Sequence, residues 1–421
     1  MHLDSIVFKG LRKVNFGDVF QFLREKNRCK KEGKGNGFWC ALIFFRLFYN
    51  NWCYEFNKSK GDAKIIFFMS HENNRVSTQT NFLNIASIVD IKDILISRLE
   101  DRKATFKIKA GIKLLCFLFI WLFQMRGCFL SLNYRLQILY GLIQLKAVED
   151  IIRTIDITKY QLLVVFYDAI FMESYLVQIF KGYGIKTATM QHGQFVSQRK
   201  SPQNLELSGI EFMASKSDYF LAWNKFTVEE GVKQGLSIDR FIICGIWSLT
   251  TSLKKWENPK NRIFGVVLTT KLAENQNIYL IQTANYISKI MNYTYYLKYH
   301  PNFKGDEYDE YVDVCCYRGN IQKGIDLGEY SCKVEFSLVC GSSVFIELVY
   351  LKHPIIRYSP GGEDDKFRDV RYGAFFRNKK DLIYMLTEKC IDFNDELFDY
   401  VCTIEDIYAK YRETFKMLSD G

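Results

Sequence analysis

The sequence predicts an α/β protein with two domains, each built on a parallel β-sheet that is covered by helices. A chain of 421 residues, 48% of them hydrophobic, can fill two or three cores. Short apolar runs that are typical of buried parallel strands alternate with stretches of helical spacing. A polar stretch that contains Pro259, residues 247–261, interrupts this alternation and is typical of an interdomain linker.

The first predicted domain covers residues 1–246. Its clearest strands are residues 63–71 (AKIIFFMSH) and 161–168 (QLLVVFYD), because both are almost continuously apolar. Residues 132–155 have apolar side chains at helical spacing. Further strands are expected at 185–193, 219–222 and 240–244, and further helices at 16–26, 40–49, 78–89 and 173–182. This alternation favours a parallel sheet with helices on both faces.

The second predicted domain covers residues 262–395. It begins with a strand at 262–270 (RIFGVVLTT) and a helix at 274–291. An aromatic strand at 295–301 (YYLKYHP), a weak strand at 313–317, and a strand–turn–helix–strand unit at 336–358 (FSLVCGSSVFIELVYLKHPIIRY) follow. One long helix is expected at 396–417, and the terminal segment 396–421 could cross back to the first domain.

The turn inside residues 336–358 is a candidate anion site. Gly341 would let a ligand approach the backbone, and Ser342 and Ser343 could donate hydrogen bonds to phosphate oxygens where the next helix begins. Glu347 lies about one helical turn further along, where a carboxylate could meet ribose hydroxyls. A βαβ turn in which a serine merely caps the helix explains the same residues equally well.

The chain has five histidines, and three of them end predicted strands. His71, His192 and His300 would therefore lie at the carboxyl edge of a sheet, where open α/β sheets bind ligands. His353 precedes Pro354 and its strand, so it should lie at the opposite edge and be structural. An imidazole suits proton transfer near neutral pH, so the three strand-end histidines are candidates for catalysis or donor binding.

Other polar residues are expected near the same edge of the first domain. Asp168 ends a strand as His192 does, and it is an alternative candidate for the catalytic base. Two sheets with polar groups at their strand ends imply a cleft between the domains, and the ligand is expected to bind there. The remaining candidates for the acceptor side of this cleft are Gln191, Gly193, Gln194 and Glu173.

The composition disfavours several functional classes. The net charge of +10 is not accompanied by a nucleic-acid recognition motif. The basic clusters at 24–34 and 98–113 are either solvated faces or surfaces for anionic lipid headgroups. The 12 cysteines include no CxxC pair, which predicts reduced cysteines in a cytosolic protein and no zinc site. No acidic pair ends a predicted strand, so no cofactor is expected and a divalent metal is not expected to be required. Asp364 and Asp365 fall in a Gly-rich stretch and are either solvated or, as the alternative, ligands of a cation.

One apolar segment bears on membrane contact. The N-terminus lacks the apolar core of a signal peptide. Residues 114–123 (LLCFLFIWLF) are shorter than the roughly 20 residues that cross a bilayer. The helical insertion around them, 105–127, is therefore expected either to lie on a membrane surface or to be buried. The expected location is cytoplasmic, with peripheral contact at the inner face of the cell membrane.

Several motifs together resemble the GT-B-fold transferases that build bacterial surface polysaccharides. They are the QHG turn at 191–193, DYFLAWN at 218–224, IICG at 242–245, the His-Pro strand end, and the Ser-Ser pair that precedes Glu347 and KHPII. The pattern is similar to that of CDP-glycerol glycerophosphotransferases, bacterial sialyl- and polysialyltransferases, and the Kdo transferases of capsule export. The resemblance implies two Rossmann-like domains that face a central cleft.

The same resemblance implies particular roles. In those families the His-Pro histidine and the Ser-Ser pair contact the donor nucleotide, which implies that role for His300, Ser342 and Ser343. His192 resembles the histidine of a WHG turn that is a candidate base in the glycerophosphotransferases, although Met190 stands where they carry Trp.

The leading expectation is a metal-independent glycosyltransferase. It would move a sugar from a nucleotide-sugar donor to a capsular polysaccharide or a lipid-linked acceptor, with His192, Asp168 or His71 as base. One alternative is a phospho-polyol transferase that uses a CDP-glycerol-type donor. An alternative of another class is a non-catalytic component of a polysaccharide assembly complex.

Overall fold

The computed structural model divides into two compact units. The first contains Met1–Ala222, Gly231–Trp247 and Tyr408–Gly421, and the second contains Trp223–Glu230 and Ser248–Ile407. The structure describes residues 11–21, 52–57, 63–70, 82–87, 93–99, 119–120, 123, 132–169, 171–194, 199–201, 204–205, 214–247, 259, 261–269, 273–300, 303, 305–321, 327–342, 344–361, 373–388, 395–401 and 406–420.

Strands and helices alternate through most of the described chain. Up to residue 243 the elements are α1 (Phe16–Val19), β1 (Trp52–Asn57), β2 (Ile65–Met69), β3 (Asp93–Leu99), α2 (Leu132–Ile152), β4 (Leu162–Phe166), α3 (Phe171–Gly182), β5 (Lys186–Met190), β6 (Arg199–Ser201), β7 (Asn204–Leu205), β8 (Tyr219–Ala222), α4 (Lys225–Lys233) and β9 (Phe241–Ile243). The later elements are β10 (Ile263–Val267), α5 (Glu274–Met291), β11 (Thr294–Lys298), β12 (Tyr317–Asn320), α6 (Leu327–Ser331), β13 (Ser337–Val339), α7 (Val344–Tyr350), β14 (Ile355–Tyr358), β15 (Ala374–Phe376), α8 (Lys379–Thr387), α9 (Asp395–Val401) and α10 (Ile407–Asp420).

The first unit is built on a seven-stranded sheet in the order β1-β3-β2-β4-β5-β8-β9. All neighbouring strands are parallel except β1, which pairs antiparallel with β3 at one edge. All five residues of β4 are buried, as its continuous apolar sequence predicts for a central parallel strand. The strand order reverses between β2 and β4, and such a reversal is where open α/β sheets bind ligands.

A buried carboxylate fastens helices of the first unit together. Glu149 of α2 is fully buried and accepts hydrogen bonds from Arg12 Nε at 3.2 Å, Arg153 Nε at 2.8 Å and the Tyr175 hydroxyl at 2.8 Å. A buried charge is tolerated when it is paired in this way. The cluster joins the segment before α1 to α2 and α3.

The second unit is built on a six-stranded, wholly parallel sheet in the order β12-β11-β10-β13-β14-β15. Its order reverses between β10 and β13. Close packing fixes the middle of β10, because a Cβ atom at Gly265 would lie 1.8 Å from the Tyr330 hydroxyl. Both units are therefore α/β, with parallel sheets and Rossmann-like strand order, and the predicted fold class is confirmed.

The C-terminal region differs from the single helix predicted at 396–417. Two helices are present, α9 and α10. In the second unit, Phe398 of α9 lies against Tyr350, with ring centroids 6.3 Å apart. In the first unit, Phe415 of α10 packs edge-on against Phe67 at 5.4 Å. The prediction of one helix was wrong because the two segments pack in different cores.

Two further elements differ from the prediction. The weak strand at 313–317 is a turn in which Asp313 Oδ1 accepts the Cys315 N–H at 3.0 Å, and the strand begins only at Tyr317. The β1–β3 pair was not predicted. The predicted helix at 40–49 lies outside the described residues, as do parts of those at 16–26 and 78–89.

Three side chains of the apolar segment 114–123 are described, and all are exposed. The exposed fractions are 76% for Phe119, 39% for Ile120 and 71% for Phe123. Burial, one of the two alternatives for this segment, is therefore wrong for these three residues. Within the described part of the chain, no helix combines the length and apolarity needed to cross a bilayer.

Candidate functional site

Three neighbouring strands of the second sheet end side by side with polar groups. The strands are β11, β10 and β13, which are parallel, so their carboxyl ends share one edge. His300 follows β11, Thr269 follows β10, and the turn of Gly341 and Ser342 follows β13. Thr269 Oγ1 lies 3.5 Å from the Gly341 carbonyl oxygen. The sheet therefore brings His300 and the Gly341 turn to one edge, on either side of Thr269, which follows β10.

A buried amide holds the end of β10. Asn277 of α5 accepts the Thr269 N–H at 3.0 Å, and its Nδ2 donates to the Thr269 carbonyl at 3.1 Å and to the Tyr308 hydroxyl at 3.0 Å. Both Thr269 and Asn277 are buried. Neither residue was predicted as part of the site. The sequence signal would have been an asparagine on the apolar face of the helix that follows a strand end.

The turn after β13 has the features of a capped helix start. Gly341 has φ +55°, a left-handed conformation that favours glycine. Ser342 is 5% exposed, and its Oγ accepts the N–H of Val344, the first residue of α7, at 3.4 Å, so it satisfies one of the free N–H groups at this helix start. Glu347 is half-buried in α7. Ser343 lies outside the described residues.

The two His-Pro histidines have different surroundings. His300 is half-buried at the carboxyl edge of the sheet. His353 precedes β14 at the opposite edge and is 1% exposed. Its Nε2 lies 2.8 Å from Ser337 Oγ, which is 2.8 Å from the Tyr330 hydroxyl. Burial lowers the pKa of His353 to about 3, so the ring is neutral. The expected positions at opposite edges are confirmed.

In the first unit, the turn that contains His192 is firmly held. Trp247 Nε1 donates to the Gln191 carbonyl at 2.5 Å, and Gln191 Nε2 donates to the Gly193 carbonyl at 2.8 Å. The half-buried His192 ring lies against Tyr167, with centroids 3.8 Å apart. The neighbouring Gln194 is also half-buried. This turn follows β5 at the carboxyl edge, as predicted.

Asp168 is placed as an anchor. Its Oδ2 accepts hydrogen bonds from Ser215 Oγ at 3.0 Å, Lys216 N at 2.8 Å and Ser217 N at 2.7 Å. The residue is 1% exposed. An oxygen that already accepts three hydrogen bonds is better suited to fixing the segment before β8 than to taking a proton from a substrate. The geometry therefore makes Asp168 a structural anchor for this segment.

Glu173 lies at the reversal of strand order in the first sheet. It is fully buried in α3, and its Oε1 accepts the Ser70 N–H at 2.9 Å. It therefore joins the end of β2 to the helix that follows β4. His71, the next residue after Ser70, lies outside the described residues.

A cavity of about 590 Å³ in the first unit does not coincide with these residues. It is lined by Lys181, Lys216, Arg240 and Asp218, among others, near the starts of β8 and β9. Its charges are largely paired within the protein: Lys181 Nζ lies 2.7 Å from Asp218, and Arg240 Nη2 donates to the Ser217 carbonyl at 2.7 Å. The cavity therefore offers few free groups to a ligand.

Among the residues that the structure describes, no group of three or more His, Cys, Asp or Glu side chains is arranged to hold a metal ion. Asp364 and Asp365 lie outside these residues.

Solved structures with a similar fold include a UDP-GlcNAc 2-epimerase and a wall teichoic acid polymerase. The UDP-GlcNAc 2-epimerase of Methanocaldococcus jannaschii, in complex with UDP-GlcNAc and UDP, aligns with a TM-score of 0.51 at 12% identity over 85% of this chain and 99% of that chain. S. aureus MnaA with UDP gives 0.49 at 12% identity, over 84% and 96% of the chains. The wall teichoic acid polymerase TagF gives 0.48 at 11% identity, over 97% and 98%.

No protein-family profile and no curated protein matches this sequence. At these identities the structural similarity shows the fold alone. The chain has the fold of GT-B proteins, with two Rossmann-like domains.

Proposed function

We propose that the protein is a glycosyltransferase that moves a sugar from a nucleotide-sugar donor to a capsular polysaccharide or a lipid-linked acceptor. One observation carries the proposal: His300, Thr269 and the Gly341 turn lie together at the strand-order reversal of the second sheet. Such a reversal is where doubly wound sheets bind nucleotides. The Methanocaldococcus jannaschii epimerase, whose structure contains UDP and UDP-GlcNAc, supports the fold on which this rests.

In the proposed reaction His192 is the base. It accepts the proton of an acceptor hydroxyl, whose oxygen forms a bond to the anomeric carbon of the donor sugar. The bond from that carbon to the phosphate oxygen breaks, and the nucleotide leaves with the electron pair. His300 and Ser342 donate hydrogen bonds to the leaving phosphate, as Ser343 would by resemblance, so the proposal requires no divalent cation. Activity should therefore persist in EDTA.

Calorimetric titration with UDP, CMP and CDP tests the proposal most directly. Binding of one nucleotide is expected, followed by turnover of the matching nucleotide sugar in a donor screen by mass spectrometry. Turnover of CDP-glycerol alone would replace the proposal with phospho-polyol transfer. Absence of binding to every nucleotide would favour a non-catalytic component of an assembly complex.

Substitution of His192 tests the base. His192→Ala should lower turnover by about 10²–10⁴-fold, the usual cost of losing a general base, with little change in the donor dissociation constant. Steady-state kinetics and calorimetry separate the two quantities. Unchanged turnover would exclude His192 and leave His71 as the remaining strand-end histidine of this unit.

Peripheral contact with an anionic membrane is part of the proposal. The exposed Phe119 and Phe123 are four residues apart, which places them on one side of a helix, and the basic cluster at 98–113 precedes them. Vesicles containing phosphatidylglycerol should co-sediment with the protein more strongly than phosphatidylcholine vesicles. Phe119→Glu with Phe123→Glu should abolish the difference. Equal sedimentation of the parent and the variant would exclude this surface.

A further inference from the structure

Tyr167 has a backbone conformation that a bulky side chain rarely adopts. It directly follows β4 and has φ +73°, in the left-handed region. Three other described non-glycine residues also have positive φ: Arg262, Asn292 and Lys352. Asn292 caps α5, and asparagine tolerates this region. A tyrosine side chain does not stabilise this backbone conformation, so contacts with the surrounding structure must impose it.

The conformation places two consecutive rings on one imidazole. In a regular strand, successive side chains point to opposite faces, so Phe166 and Tyr167 could not both reach the same group. Here the Tyr167 centroid lies 3.8 Å from that of His192, with the ring planes at 34°. Phe166 meets the same imidazole edge-on at 6.2 Å. With the left-handed conformation at Tyr167, the rings of both Phe166 and Tyr167 contact the His192 imidazole.

Trp247 holds Phe166 and the backbone next to His192 in place. Phe166 packs edge-on against Trp247 with centroids 5.4 Å apart, and Trp247 Nε1 donates to the Gln191 carbonyl at 2.5 Å. The Trp247 indole therefore contacts both the backbone next to His192 and the Phe166 ring beside the imidazole. The Tyr167 ring, with its centroid 3.8 Å away, packs against the imidazole itself and so restricts its rotation.

We infer that Tyr167 is a positioning residue for His192, held in a strained conformation because its ring fixes the orientation of the imidazole. This inference rests on the proposed function, in which His192 takes the acceptor proton. Orientation of a base affects the chemical step and leaves donor binding unchanged. The strain at Tyr167 is thus retained for the geometry of the base, at the expense of stability.

Three variants separate this role from simple packing. Tyr167→Phe keeps the ring and should keep kcat close to that of the parent. Tyr167→Leu removes the ring and should lower kcat by about 10- to 100-fold, the cost of a misplaced catalytic group, while KM for the donor stays unchanged. Tyr167→Gly relieves the backbone strain, so its kcat should fall like that of the leucine variant while its thermal stability falls less.

Lys352 supplies a matched control. It is exposed, has φ +56° and lies in the second unit away from the candidate site. Lys352→Gly relieves the backbone strain but removes the contact of the Lys352 ammonium with the Phe398 ring at 4.8 Å, and it should leave kcat unchanged. A fall in kcat for this variant would mean that positive-φ substitutions disturb turnover in general.

A spectroscopic measurement tests the contact without any assay of transfer. A ring 3.8 Å from the imidazole should displace the His192 proton resonances by its ring current. This displacement should be similar in the parent and in Tyr167→Phe and clearly smaller in Tyr167→Leu, where the Phe166 ring remains at 6.2 Å, with His192→Ala providing the assignment.

Two failures can be told apart. If His192→Ala loses turnover but Tyr167→Leu does not, the inference fails and the proposed function stands. If the parent turns over no nucleotide sugar, the proposed function fails. In both cases an unchanged His192 resonance in Tyr167→Leu would overturn the positioning contact itself.

Discussion

The two His-Pro pairs of the second unit have the same dipeptide sequence and different environments. His300 follows β11 and is half-buried at the carboxyl edge, whereas His353 precedes β14 and is buried at the amino edge. His353 meets Ser337 and, through it, Tyr330. The comparison shows that the position of a histidine relative to its strand, and not the dipeptide, decides whether the imidazole is accessible to a ligand.

The largest expected difference between the two histidines is in the dissociation constant of the donor nucleotide. His300→Ala removes a hydrogen bond to a charged group, worth roughly 1.5–3 kcal/mol, so the nucleotide dissociation constant should rise by about 10- to 100-fold. Calorimetric titration measures it. His353→Ala is the matched control and should leave the constant unchanged. Equal effects from both substitutions would mean that the edge of the sheet does not decide the role of the histidine, and would exclude the donor site proposed beside His300.

The next effect is on stability and concerns His353. His353→Ala removes the hydrogen bond between the His353 ring and the buried Ser337 hydroxyl, so the free energy of unfolding should fall by about 1–3 kcal/mol. His300→Ala should change it by less than about 0.5 kcal/mol, because His300 is only half-buried. Urea denaturation followed by circular dichroism gives both values. A larger loss for His300 would reverse the assignment of structural and functional roles.

A pH dependence sharpens the same contrast. The pKa of His353 is about 3 in the folded protein and near 6.5 in the unfolded chain, so between these values only the unfolded chain binds the proton. The contribution of His353 to the free energy of unfolding is therefore complete above pH 6.5. It falls by about 1.4 kcal/mol for each pH unit below that value.

Comparing stability at pH 7 and pH 5.5 in the parent and in His353→Gln isolates this contribution, because glutamine does not titrate in the range. The parent should lose more stability than the variant. Identical losses would show that His353 is not buried as a neutral ring.

Much of the fold follows from the sequence because the central strands are nearly continuous apolar runs. The residues 161–168 predicted β4 and the residues 274–291 matched α5. The prediction failed where a polar sequence forms an edge strand: β12 has the sequence YRGN, and an Asx turn at Asp313 delays its start. Pairing with β11 makes this segment a strand, and periodicity cannot show such pairing.

The candidate site was only partly accessible to sequence reasoning. The sequence predicted that His192 and His300 lie at the carboxyl edges of the sheets, because each histidine directly follows an apolar run that forms a strand. The left-handed conformation of Tyr167 and the clamp of Asn277 on Thr269 depend on tertiary contacts. The same holds for Asp168, whose three hydrogen bonds come from a segment nearly 50 residues away.

The helix α10 connects distant parts of the sequence within the first unit. The Tyr411 hydroxyl donates to the Gly245 carbonyl at 3.3 Å, and Phe415 fills space beside Phe67. On the ribosome, residues 1–247 emerge long before these side chains have been synthesised. The first unit must therefore wait, with part of its apolar surface uncovered, until the second has been translated, and chaperone binding to the nascent chain should be strongest in that interval.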